Sequence, residues 1–300
     1  MDLALVVNTQ KPSTLQVLSR LRACLRGGRH RLRLWAPAAP VLRARPDYGG
    51  QLDELELVED VRGSDAVVAL GGDGTLLQAV RLLQGAERPL LGINLGSLGF
   101  LTDTPEDQAE SALESLVAGR YRLDPRMLLE AVREPRRGAP PAPMTGLNDV
   151  VLRGSGARVL EVSMRVAGVD LGSMLADGVI VATPSGSTAY GLSAGGPVVS
   201  PRLRALIMTP ISAHTLSMRP LVTSADEEIE LALQRTADGR AELTVDGHTR
   251  CEVAEGERVC VRRAPRDLQL VVTGERTFYD TLRTKLGWGH RGRSGGPART

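Results

Sequence analysis

Between a short apolar run, Asp65–Leu70, and a stretch of helical periodicity, Thr75–Leu83, stands Gly71-Gly72-Asp73-Gly74-Thr75, and no other feature narrows the fold as much. A strand that runs through a glycine turn into a helix is the unit of a parallel α/β sheet. Glycine lets the backbone reach positive φ and approach a ligand closely. Amides at a helix start offer donors and a partial positive charge to phosphate. An acid in that position is odd for pure anion binding. It repels phosphate unless it holds a metal or takes a proton from an attacking hydroxyl, which makes Asp73 the candidate base. The same letters also suit a tight turn in which Asp73 caps the following helix, and both readings stand on these residues alone. The run lacks a Gly-Lys-Ser/Thr ending and does not fit Gly-x-Gly-x-x-Gly spacing, so the two common nucleotide loops are excluded.

Around this turn the pattern repeats. Leu3–Asn8 is an apolar run, and Ser13 opens a segment with Leu15, Leu18, Leu21, Cys24 and Leu25 at helical spacing. Pro89–Asn94 reads as another strand and Pro105–Val117 as another helix. The expectation is an α/β N-terminal domain over 1–122 with a Rossmann-like parallel sheet. After Gly119 the texture turns to short β-type runs: Leu147–Leu152, Val159–Val166, Val179–Thr183, Ile229–Leu233, Ala241–Val245 and Leu268–Val272. That predicts a β-rich domain over 123–276. Phe278–Leu286 reads as a final helix, within 277–290, that returns to the first domain. Glu134–Pro143 suits an exposed hairpin loop, and the Gly/Arg/Ser/Pro-rich 291–300 suits a disordered tail.

Bulk properties remove several classes. The chain's 300 residues, 42% hydrophobic and 24% charged, suffice for a folded core of one large or two smaller domains. A formal charge of +2, with arginines scattered among acids, argues against a nucleic-acid binder. No apolar stretch approaches the roughly 20 residues a bilayer requires, and no secretory leader pattern opens the chain, so no membrane and a cytoplasmic setting are expected. Cys24, Cys251 and Cys260 show neither Cys-x-x-Cys pairing nor histidine at ligand spacing, so no dedicated metal site is expected.

Downstream, Leu147-Asn148-Asp149-Val150-Val151 and Asp177-Gly178-Val179-Ile180-Val181-Ala182-Thr183-Pro184-Ser185-Gly186-Ser187-Thr188-Ala189-Tyr190 follow in order. Then come Ser193–Pro197, Thr209–Leu221, Val245-Asp246-Gly247 and Leu282–Trp288. Taken as residues, Asn148-Asp149 is a ribose-binding pair or a turn. Thr183–Tyr190 is a nucleotide loop with Tyr190 as stacking face, or a plain Ser/Gly loop with a core tyrosine. Together with Gly71–Thr75, these blocks resemble the NAD kinases over roughly residues 3 to 289. Diacylglycerol and sphingosine kinases share only the glycine loop.

The resemblance implies phosphoryl transfer from ATP, another nucleoside triphosphate or polyphosphate to the 2′-hydroxyl of the adenosine ribose of NAD. Asp73 would orient or deprotonate that hydroxyl, with Gly72 and Gly74 beside it at the phosphates. Asn148 and Asp149 would hold ribose hydroxyls. Thr188, Ala189 and Tyr190 would line the adenine pocket, and Asp177 would contact the second nucleoside. Asp246, Gly247 and His248 fall near the phosphates and the donor side, and Lys11 and Gly92–Leu101 match segments near the phosphate site. Magnesium or another divalent cation is expected with the donor, held mostly by phosphate and water. The family further implies a homodimer or homotetramer. Three departures stand out: Asp149 where the family commonly has glutamate, Ser97 where many relatives carry a larger side chain, and Ser200-Pro201 in place of a frequent His-Pro.

Three rival readings compete with this one. A serine hydrolase finds Gly191-Leu192-Ser193-Ala194-Gly195, with Asp226 and His248 in hydrolase order, yet a loop separates Ser193 from the nearest strand. A lipid kinase needs an apolar groove, and aromatic content is only 3%. A non-catalytic dinucleotide sensor has no use for the acid at 73.

Overall fold

The computed structural model describes residues 1–288 apart from 51, 98, 155–158 and 215–216. The tail expected over 291–300 lies outside the described residues. Five parallel strands stand in the order Glu56–Val58, Arg31–Trp35, Asp2–Val7, Ala66–Gly71, Pro89–Asn94. Leu268–Val272 joins parallel to Pro89–Asn94, and Arg122–Arg126 closes the edge antiparallel to it. The β-rich reading of 123–276 contained Leu268–Val272. Its place in the first sheet depends on a partner almost 180 residues upstream, Pro89–Asn94, which local pattern does not report.

Side chains alternate across this sheet and meet helices on both faces. Leu3, Leu5, Val68, Leu70, Leu91 and Ile93 pack on the helices Thr14–Cys24 and Ala109–Val117 through Leu15, Leu18, Leu21, Leu113 and Leu116. On the other face Ala4, Val6, Val67, Ala69 and Leu90 receive Leu76, Ala79, Val80 and Leu83 of the helix Asp73–Leu83. These four helix residues are at most 3% exposed, and burial contributes roughly 1.5–3 kcal/mol for each of the leucines. That helix stops where Gln84 turns left-handed, at φ +48°, just before Gly85.

The remaining strands form two six-stranded antiparallel sheets. One runs Leu221–Ser224, Ala205–Ile211, Gly178–Ala182, Asp149–Gly154, Arg240–Val245, His248–Ala254, and the other Val169–Ala176, Leu160–Val166, Ile229–Thr236, Arg258–Arg263, Leu129–Glu134, Met144–Gly146. Their facing residues, among them Val150, Leu152, Val181 and Leu243 against Val162, Leu231, Leu233 and Val259, share one core. The connection over 135–143 links two antiparallel strands, and 136–143 is exposed.

The helix Phe278–Leu286 starts in a capping box, Thr277 and Asp280 each bonding the other's backbone. It returns to the first sheet's side of the molecule. Phe278 stands 6.4 Å from Phe100, and the Lys285 ammonium lies 5.4 Å over the Phe100 ring.

Candidate active site at the switch point

The first sheet reverses its winding between Asp2–Val7 and Ala66–Gly71, and the crevice beyond the carboxyl ends of such neighbours is where open α/β sheets take ligands. Here the crevice is a cavity of about 560 Å³ lined by Asn8, Thr9 and Lys11 after one strand, Gly72, Gly74 and Thr75 after the other, and Gln78, Arg81 and His248. Gly71 must be glycine. A Cβ there would overlap the Thr75 hydroxyl and come within 2.8 Å of Asn8 Cβ. Gly72 is the helix N-cap, its carbonyl accepts from the Thr75 amide at 2.9 Å, and the Asp73 and Gly74 amides precede the first bond of the helix.

Asp73 does not cap its own helix, since it is the first helical residue and no side chain bonds the cap. Its carboxylate holds a strap instead. Oδ1 accepts from the Leu101 amide at 3.2 Å, the Thr102 amide at 3.1 Å and the Thr102 hydroxyl at 2.9 Å, and Oδ2 accepts from the Phe100 amide at 2.9 Å. Gly99 passes so close that a Cβ would overlap the Asp73 carboxyl group. The cap reading of Asp73 gives way to a long-range anchor, and Asp73 itself is half-buried between Gly72 and Gly74, which line the cavity while it does not.

A second cavity of about 490 Å³ opens on the far side of the helix Asp73–Leu83, lined by Leu77, Asn148, Asp149, Ala189, Tyr190 and Asp246 together with Val151, Arg153, Glu242, Thr244 and Gly247. Asp246 and Gly247, at φ +50° and +74°, make the two-residue turn between Arg240–Val245 and His248–Ala254. The Asp246 carboxylate folds back to accept the amides of Leu147, Asn148 and Asp149 at 2.8, 2.7 and 3.2 Å. Asn148-Asp149 is therefore a clamped strand start, not a free turn. Thr183 adds its amide to Asn148 O and its hydroxyl to Leu147 O, and Gly186 lies against the Asn148 backbone where any Cβ would collide.

Electrostatics set Asp149 apart. It is 4% exposed, and burial, then the neighbouring Asp246, push its carboxyl up to about 7, with the Tyr190 amide opposing. Burial also raises Asp246, against the three amides it accepts. Tyr190 is 40% exposed and presents its ring at the cavity rim.

The structure thus brings Gly72, Gly74 and His248 to one cavity, and Asn148, Asp149, Ala189, Tyr190, Asp246 and Gly247 to the other, while Asp73 lines neither and is bonded to the strap beside Gly72 and Gly74. Thr188 lines neither, and its hydroxyl donates to Ser185 O at 3.1 Å. Asp177 also lines neither. It precedes Gly178–Ala182, at the opposite end of that strand from Thr183, with its amide on Ile211 O. Ser193 ends the short helix Tyr190–Ser193, so no strand delivers it as a nucleophile elbow requires. Sequence reasoning missed Thr102, Leu77, Gln78 and Arg81, and took in Asn94 only as part of the block Gly92–Leu101. For Thr102 the available signal was its position directly after that block.

Comparison with known proteins identifies relatives of the chain as a whole. Residues 38–121 match the family model described as the ATP-NAD kinase N-terminal domain, and residues 147–273 that of the ATP-NAD kinase C-terminal domain. An NAD kinase of Gemmatimonas aurantiaca is 45% identical over 228 residues, covering 75% of this chain and 78% of the relative. One from Magnetococcus marinus is 37% identical over 289 residues, 96% and 93% of the two chains. Among solved structures, an NAD kinase from Archaeoglobus fulgidus in complex with ATP superposes with a TM-score of 0.73 at 25% identity, covering 96% of this chain and 99% of that one. Yeast NADH kinase complexed with NADH has the same fold, with a TM-score of 0.87 at 23% identity over 99% and 90%.

Proposed function

The chain belongs to the NAD kinase family and makes NADP from NAD, and from that premise we propose how its residues divide the work. The terminal phosphoryl group of ATP passes to the 2′-hydroxyl of the adenosine ribose. The acceptor's adenosine sits in the 490 Å³ cavity, with its base on Tyr190 and Ala189 and ribose hydroxyls on Asn148 and Asp149. Donor phosphates lie in the switch-point cavity against the first-turn amides of Asp73–Leu83. The ribose hydroxyl gives its proton to Asp73 as the O2′–P bond forms, and the bond from the terminal phosphorus to the bridging oxygen breaks, its electron pair leaving with ADP. The carrying observation is an acid fixed by a strap at a helix start, between two glycines that line the switch-point crevice.

Among the described residues no group of three or more His, Cys, Asp or Glu could hold a metal ion. A divalent cation would be carried in by donor phosphates and water. Magnesium would there neutralise charge developing on the phosphates. Lys11 supplies fixed positive charge at that wall of the crevice, its ammonium close to Gly96. Asp246 acts one step removed, by clamping Asn148-Asp149.

We read the enzyme as a homodimer or homotetramer. Edge strands expose Val169, Leu171 and Leu175 on one sheet and Leu221 and Val222 on the other, surfaces that pairing would cover. Asp177, remote from both cavities within one chain, supports the same reading, because a second copy could bring it to a nucleotide. A cytoplasmic setting is supported by three free cysteines, and among the described residues no helix is long and apolar enough to cross a membrane.

The test is NADP formation from NAD with ATP and magnesium, polyphosphate serving as a parallel donor. Asp73→Asn should lower kcat about 10²- to 10⁴-fold while the unfolding midpoint stays within a few degrees. Normal turnover in that variant would remove Asp73 as the base.

A further inference from the structure

Carboxylate oxygens have two lone-pair sites apiece, and the strap uses those of Asp73 unequally. Oδ1 takes three donors, the amides of Leu101 and Thr102 and the Thr102 hydroxyl, whereas Oδ2 takes only the Phe100 amide. Thr102 is fully buried, and its hydroxyl also accepts from Asn94 Nδ2 at 3.1 Å. A hydroxyl has one proton. With Asn94 filling an acceptor site from one side, that proton is turned onto Asp73 Oδ1 at 2.9 Å. Asn94 is itself held, 3% exposed, by a second bond from Nδ2 to Ser97 O at 2.9 Å. The strap is backed on its outer side by the Phe278 ring and the Lys285 ammonium against Phe100.

We infer that Thr102, oriented by Asn94, is a positioning residue that saturates Oδ1 of Asp73 and so leaves Oδ2 as the oxygen that receives the ribose proton. The inference rests on Asp73 as the base. Amide donors in a strap cannot rotate away, so they fix where the carboxylate sits. The hydroxyl decides which edge of it faces the substrate. Losing that bond removes the shortest of the three on Oδ1 and leaves the longer amide contacts at 3.1 and 3.2 Å, so the carboxylate swings more widely about its last torsion and Oδ2 spreads over positions that do not meet the ribose hydroxyl.

Thr102→Val keeps the shape of the side chain and deletes only the hydroxyl. It should lower kcat about 10-fold while KM for NAD moves less than about 3-fold, since binding contacts lie in the other cavity. Thr102→Ser restores the hydroxyl and should recover kcat to within about 3-fold of the parent. In an Asp73→Asn background the Thr102→Val change should add no further loss in kcat, because the group it positions is gone. Asn94→Ala, which frees the hydroxyl to rotate, should cost kcat about 3-fold and gives the same reading if Thr102→Val fails to fold. A wild-type kcat in Thr102→Val, or a serine variant no better than the valine one, would overturn the positioning role. If Asp73→Asn is inactive and Thr102→Val is normal, only the positioning role falls. If Asp73→Asn turns over normally, the base assignment falls and takes this inference with it.

Discussion

Asp149 sits in surroundings far from those of a free side chain. Folding buries it, sets Asp246 beside it and raises its carboxyl from 3.8 to about 7. The folded state therefore holds a proton that the unfolded chain releases near pH 4. This contribution to stability is complete below that value, is lost as pH climbs towards 7, and changes no further above it. Asp149→Asn removes the charge while keeping an acceptor for the Tyr190 amide. At pH 8 it should unfold roughly 2 kcal/mol later than the parent, with a flatter stability profile between pH 4 and 7, and NAD should bind more weakly. Equal stability at pH 8 in a denaturant titration would mean that the acid is not buried as charged. At this scale the sequence was informative about identity and silent about partners. Asp73 stands out in the sequence because a carboxylate in a phosphate-type loop would repel the phosphate. Whether it capped a helix or held residues 100–102 depended on a contact nearly thirty positions away. Asp246-Gly247 was legible as a site pair, but its use as a clamp on Leu147–Asp149 depended on a partner strand about a hundred residues upstream.

Elements were readable where periodicity and punctuation agreed. Pro89–Asn94, Leu268–Val272 and Phe278–Leu286 fall where the pattern put them, each bounded by turn or cap residues. The strand Arg122–Arg126 was passed over because Pro125 cannot donate to a ladder. It is tolerated there because this strand is the outer edge of its sheet. Val169–Ala176 was hidden by Gly172 and by exposed Val169, Leu171 and Leu175, a pattern that burial alone cannot rationalise in one chain. The strap over residues 99–102 has no regular structure at all, yet it is the element on which Asp73 depends. Gly99→Ala tests it directly. Its Cβ would overlap the Asp73 carboxyl group, so strap and acid must part, and a displacement of about 1 Å at a reacting group costs up to 10²-fold in rate. The expected result is a 10- to 100-fold loss of kcat with the far-ultraviolet dichroism unchanged. Gly63→Ala, where a Cβ meets nothing within 4 Å, should behave as the parent. Full activity in Gly99→Ala would mean that the strap's grip on Asp73 is dispensable.

At the scale of the whole molecule, the proposed division of work asks two differently built halves to keep Asp73 and the cavity beside Asn148-Asp149 in register. Two features do this. The chain crosses between the first sheet and the sandwich twice, after Arg126 and before Leu268, so the connections form a pair of adjacent strands and not a single linker. The second is a common core. Leu128, Leu147 and Ala264 from the sandwich side pack with Ala4, Val67, Leu76 and Leu90 of the first domain, and Leu147 is wholly buried next to Asn148-Asp149. The wall between the cavities therefore rests on shared apolar packing, and neither half has a complete face there without the other. Urea unfolding followed by dichroism and by tryptophan fluorescence should consequently give one coincident transition, even though a chain of this length could have had two. Leu147→Ala should lower that single transition by about 2–5 kcal/mol, the usual cost of a leucine-sized cavity, and should raise KM for NAD by loosening the clamp on Asn148-Asp149. Two separated transitions, with Leu147→Ala moving only one, would show that the halves fold independently and that the register of the site comes from the substrate and not from the shared core.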